Sequence, residues 1–184
     1  VALSFFEVFC GKAMGKRHRA RELALQVLFQ MEFNPGDPGE SFDRVCESFS
    51  PPKDIRPFSR LLVEGVCENK DEIDKLISRS SKNWRLDRMS RVDRNILRVA
   101  VFEVICMKDI PPKVSIDEAV ELGKRFGTDE SGAFINGVLD RIYSDLSPKE
   151  DRERDPHGPS GVSGTPVSSK KCGTWSGRRR RETG

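Results

Sequence analysis

Metal ligands are scarce and scattered in this sequence. Its two histidines, His18 and His157, lie far apart, and none of its five cysteines (Cys10, Cys46, Cys67, Cys106 and Cys172) stands in a C-x-x-C pair. A zinc site needs clustered ligands, so no metal is expected. The odd, dispersed cysteine count reads as reduced thiols in a cytoplasmic protein. Also missing is any run of about eighteen apolar residues, the length a membrane-spanning helix requires. The apolar opening VALSFFEVF has no basic leader and contains Glu7, which argues against a signal peptide. A translation start at Met14 accounts for it better and leaves residues 1–13 as an upstream extension, expected to be poorly ordered.

Enzymatic signatures are absent as well. There is no P-loop and no G-x-S-x-G, and no strand for a dinucleotide-binding glycine pattern to follow. His157 falls in a tail and His18 in a basic cluster, so cysteine–histidine catalysis has no basis. The carboxylates fall on helix surfaces, where ion pairing is the ordinary explanation. Neither a catalytic residue nor a cofactor is expected. A formal net charge of only +3 excludes a uniformly basic nucleic-acid binder, so any such site must be local.

What the sequence does contain is helical periodicity. Hydrophobic residues make up 36% and charged residues 33%, which fits one compact domain diluted by polar flanks. The pattern predicts an all-α fold of about seven helices between Lys16 and Leu146. The first runs from about Arg17 to Phe33, with Ala20, Leu23, Ala24, Val27, Leu28 and Met31 in one stripe. Shorter helices follow over about 40–49, 58–68 and 71–80. The fifth, capped by Ser90 with Asp93 three residues on, is apolar round most of its circumference and should be the buried centre. Ser115-x-x-Glu118 reads as a capping box opening the sixth, which ends at Phe126-Gly127, where glycine suits a left-handed C-cap. The seventh begins near Ser131. From residue 147 to 184 Pro, Gly, Ser and charge dominate, ending in Arg178-Arg179-Arg180-Arg181. That composition predicts a disordered tail.

Two stretches bear on function. Lys16-Arg17-His18-Arg19-Ala20-Arg21 places cations at the start of a helix, where the dipole is already positive. Free N–H groups there favour an anion, so phosphates are one explanation and a solvated basic segment is the other. Phe29 falls on the face opposite the apolar stripe, either as a partner contact or beneath another helix. The second stretch, Lys124 to Asp140, gathers Lys124, Arg125, Phe126, Phe134 and Asn136 around a tight interhelical turn. Aromatic faces stack on unpaired bases and an amide reads base edges. Alternatively, the two phenylalanines plug the helix junction.

Three segments, RHRARELALQVLF, VDRNILRVAVFEV and IPPKVSIDEAVELGKRFGTDESGAFINGVLD, resemble the NusB family in order and spacing from Met14 to Leu146. The resemblance implies two small helical subdomains packed together, forming an RNA-binding domain over residues 14–146. It also implies transcription antitermination: binding of boxA-type single-stranded RNA with NusE, a small-subunit ribosomal protein, within an RNA polymerase complex that reads through ribosomal RNA operons. By position it assigns Arg17, His18, Arg19, Arg21, Phe126, Phe134 and Asn136 to RNA, to which the two basic stretches add Lys16 and Lys124, and Phe29, Asp93 and Glu130 to the protein partner. His18 stands where an arginine is frequent, and Ala133 where a lysine is common. The alternatives are a homodimer that covers the RNA site, or an RNA-binding module related to ribosomal RNA cytosine methyltransferases. The latter would need a long α/β domain after Leu146, and 38 tail-like residues follow instead.

Overall fold

The computed structural model describes residues 15–81 and 84–147. Among these residues the protein is all-α: α1 Lys16–Met31, α2 Pro38–Phe49, α3 Arg56–Glu68, α4 Lys70–Ser80, α5 Arg91–Cys106, α6 Pro112–Phe126 and α7 Ser131–Leu146, with a 3-10 turn at Leu86–Arg88. The expectations for residues 1–13 and for the tail lie outside the described residues. No described helix is long and apolar enough to cross a membrane, and no described group of His, Cys, Asp or Glu could hold a metal. Cys46 and Cys67 are free thiols.

Helix α5 is the axis of the fold. Every residue from Asn95 to Glu103 is buried, and α4, α6 and α7 pack round it. Helices α1 and α3 cover its remaining side, and α2 closes over both of them. A helix so enclosed must be apolar on nearly all faces, as its sequence is. Helix α1 is enclosed too. Besides its apolar stripe it buries His18, Arg21, Glu22 and Gln26, the face that periodicity alone assigns to solvent.

Local signals set some helix ends and are overridden at others. Asp37 caps α2 by accepting the Glu40 N–H at 3.0 Å, and Ser90 caps α5 by accepting the Asp93 N–H at 3.0 Å. The capping box expected at Ser115 does not form. Helix α6 starts three residues earlier, at Pro112, whose fixed φ suits the first helical position. Ser115 is buried inside the helix, and Glu118 is held instead by residues of α1. Gly127 is extended rather than left-handed (φ −93°, ψ −157°), and a Cβ there would collide with the Ser131 side chain. Lack of space, not a positive φ, accounts for that glycine.

Close approach also dictates Gly65, on α3 where it crosses α5. A Cβ at this position would fall within the Phe102 ring. Alanine is ordinarily favoured over glycine in a helix by roughly 0.5–1 kcal/mol. Overpacking of a filled core costs about 1–3 kcal/mol, so the clash should win. Gly65→Ala is expected to lower the urea midpoint and Tm. A midpoint at or above that of the parent would show that the α3–α5 contact is looser than described.

Candidate nucleic-acid interface

The basic opening of α1 divides into an inner and an outer set. Arg21 is 2% exposed and points between α5 and α6. Its Nε donates to Glu103 Oε1 at 2.9 Å and Oε2 at 3.2 Å, and its Nη2 donates to Oε2 at 3.2 Å. Glu103 is wholly buried, and Glu118 lies 3.4 Å from Arg21 Nη1. Planar guanidinium geometry makes arginine suited to such a buried carboxylate pair. His18, also buried, places Nδ1 2.7 Å from Glu118 Oε2, and its Nε2 lies 3.4 Å from Glu22 Oε1. Removing one member of a buried ion pair costs about 3–5 kcal/mol. His18 and Arg21, which the resemblance assigns to RNA, here spend their charges binding α1 to α5 and α6.

Lys16, Arg17 and Arg19 form the outer set, all exposed. Lys16 Nζ lies 3.0 Å from Asp54, and Arg17 Nη2 lies 3.4 Å from Asp109, with both partners open to water. Arg17 also lies over the Phe58 ring, 5.6 Å from its centroid. Exposed pairs of this kind are worth about 0–1 kcal/mol, so phosphates can displace their acids.

The turn between α6 and α7 is fastened to α1. Arg125 pairs with Glu22 through Oε1, the oxygen that also faces His18. Within the turn the Thr128 N–H donates to Ser131 Oγ at 2.8 Å. Lys124 is exposed beside it, with Glu121 at 2.7 Å. Phe126 and Phe134 are half-buried against the core, and Arg125 sits 5.2 Å over the Phe126 ring. Asn136 is exposed, and its Nδ2 donates to Asp140 at 2.9 Å. Sequence reasoning missed Trp84, 56% exposed, whose ring centroid lies 5.8 Å from that of Phe134. Its position beside Arg85 was the available signal.

The residues assigned to a protein partner are not gathered in one way. Phe29 is half-buried and meets Phe33 edge-on at 5.3 Å, and Arg91 covers the exposed Phe33 at 4.1 Å. Glu130 is exposed. Asp93 is buried, 8% exposed, and its Oδ1 has neither solvent nor a hydrogen bond. Near the end of α1 a network escaped the sequence reading. Glu32 accepts from Arg94 at 2.6 Å and Arg98 at 3.2 Å, and Arg98 donates to Asp74 at 2.8 and 3.0 Å. Burial would raise the Asp74 carboxyl, but the bonds from Arg98 and Lys70 outweigh it and hold the group below its usual range.

His18 should leave a pH signature. Its hydrogen bond to Glu118, then the Glu22 carboxylate 3.4 Å from Nε2, pushes its pKa from 6.5 up to about 9 despite burial. The folded state thus binds this proton more tightly than the unfolded state. Its stabilisation is complete below pH 6.5 and is lost as pH rises towards 9. Tenfold tighter proton binding is worth about 1.4 kcal/mol, and water near the Glu118 end of the pair screens part of the total, so a loss of about 2 kcal/mol is expected across that window. Urea unfolding of the parent and His18→Gln should show a steeper fall in the parent. Parallel pH profiles would mean that the imidazolium pair contributes nothing.

A family model described as NusB family matches residues 18–144. The transcription antitermination protein NusB of Desulfatibacillum aliphaticivorans is 52% identical over 141 residues, covering 77% of this chain and 99% of that protein. A solved NusB from T. maritima, 43% identical, superposes with a TM-score of 0.66 over 74% of this chain and 96% of its own. A chain in a crystal structure of antitermination factors NusB and NusE with double-stranded RNA is 33% identical, with a TM-score of 0.64 over 70% of this chain and 96% of that one. With the matched span reaching from the first turn of α1 into the last turn of α7, the chain belongs to the NusB family.

Proposed function

We propose that this protein is a non-catalytic transcription antitermination factor of the cytoplasm. It binds boxA-type single-stranded RNA together with NusE and joins an RNA polymerase complex that reads through ribosomal RNA operons. The observation that carries this reading is the outer set of cations on α1. Lys16, Arg17 and Arg19 face solvent, while the buried pair of Glu22 with Arg125 holds them at a set distance from the turn bearing Lys124 and Phe126. Phosphates meet the cations, and unpaired bases meet the rings and Asn136. NusE supplies the remaining wall, with Phe29 and Glu130 on this chain's side. The relative crystallised with NusE and double-stranded RNA supports an RNA ligand and makes strandedness part of the test.

An electrophoretic shift with boxA-type RNA, single-stranded and duplex, with and without NusE, tests this. Neutralisation of about four phosphates, by Lys16, Arg17, Arg19 and Lys124, predicts a slope near −3 for log affinity against log salt. Combined Arg17→Ala and Arg19→Ala should weaken binding tenfold or more without loss of helicity, since both side chains are exposed. Affinity equal to the parent's, or binding indifferent to salt, would remove the mechanism.

A further inference from the structure

Trp84 belongs neither to the outer cations nor to the α6–α7 turn, yet it is one of the few large apolar side chains left open. Its backbone is pinned while its ring is not. The Trp84 N–H donates to Ser81 O at 2.9 Å, and the single Ser81 hydroxyl proton is shared between Ile77 O at 2.7 Å and Trp84 O at 3.1 Å. Tryptophan is usually among the more buried residues, so an anchored but exposed indole calls for a reason. The ring leans on Phe134 at an interplanar angle of 57° and forms part of the wall of an open cleft of about 540 Å³ between α4 and the 3-10 turn.

The charge of that cleft indicates its occupant. Lys70, Arg85, Arg94 and Arg98 line it against Asp74 and Asp87. Arg94 and Arg98 are fixed beforehand by Glu32, Asp74 and the Leu86 carbonyl, at 3.1 Å from Arg94 Nη1. With Glu32 counted, four cations here face three carboxylates, and Arg94 and Arg98 are committed to Glu32 and Asp74. Lys70 is paired with Asp74 and the exposed Arg85 with Asp87, surface pairs that cost little to exchange for an anion, and an open indole suits a flat π-face. A nucleotide combines the two.

We propose that this cleft takes one unpaired nucleotide of the bound RNA, its base stacked on Trp84 beside Phe134 and its phosphate towards Arg85 and Lys70. The inference rests on the RNA-binding reading and extends the RNA path from the α6–α7 turn to the connection between α4 and α5. Stacking of this type tolerates any base, because every base has a π-face.

The test uses the full chain carrying Trp175→Phe, which leaves Trp84 as the single indole. Titration with single-stranded boxA-type RNA should quench Trp84 fluorescence, and a duplex, whose base faces are covered, should quench it far less. In filter binding Trp84→Ala should lose at least fivefold in affinity, and Trp84→Phe should recover most of it, with far-ultraviolet circular dichroism unchanged in both. Suppose the parent binds RNA and the Arg17–Arg19 double variant weakens it, but Trp84→Ala binds as well as the parent. The cleft is then not on the RNA path, although the antitermination reading stands. Quenching by NusE without RNA would assign the cleft to protein and overturn the proposal. A parent that binds no RNA would overturn both.

Discussion

Arg21 and Glu103 place two opposite charges in the interior, where neither has water to fall back on. That pair fixes the rotation of α1 about its own axis. At about 100° per residue, His18, Arg21 and Glu22 share one arc, while Arg17 and Arg19 emerge on its two flanks. With the first three committed to Glu103, Glu118 and Arg125, the helix cannot roll to show Arg21 without uncovering a buried carboxylate. The identity of the outward cations, and hence the shape of any phosphate-binding surface, follows from this one constraint.

The energies of the two sets separate their roles. The inner pairs are desolvated, and losing one partner costs several kcal/mol, a sizeable part of a domain's total stability. The outer pairs are hydrated and contribute a fraction of that. A cation that yields its partner cheaply is the one that can exchange it for a ligand. Loss of RNA affinity on truncating Arg21 would therefore say little about contact, because the same change loosens α1 from α5. Cationic sequence at a helix start served two purposes here, and only exposure tells them apart.

Much of the fold was readable because it rests on local periodicity. The apolar circumference of α5, the Ser90 cap and the start of α7 at Ser131 all involve residues within a few positions of each other. What could not be read depends on partners far along the chain. Arg21 meets Glu103 82 residues away, and His18 meets Glu118 at a separation of 100. The same long-range pairing withdraws Glu118 from the capping box its spacing suggests, and α6 takes Pro112 as its start instead. Asp93 shows the limit from the other side. Its backbone role at the helix start was legible, while the burial of its carboxylate was not. Trp84 was overlooked because nothing in its neighbourhood is periodic, and its meaning comes from Phe134, far along the chain on α7.

Glu22 joins these threads. It is 3% exposed, and one of its oxygens, Oε1, faces both His18 and Arg125. Through Arg125 it holds the end of α6, and so the turn with Lys124 and Phe126, against the second turn of α1. A surface assembled from two separate segments would normally lose affinity to their relative motion, since ordering them on binding opposes association. A buried carboxylate shared by His18 and Arg125 removes that freedom before any ligand arrives. The interior charges thus serve binding without touching the ligand: they hold in register the two exposed surfaces that would.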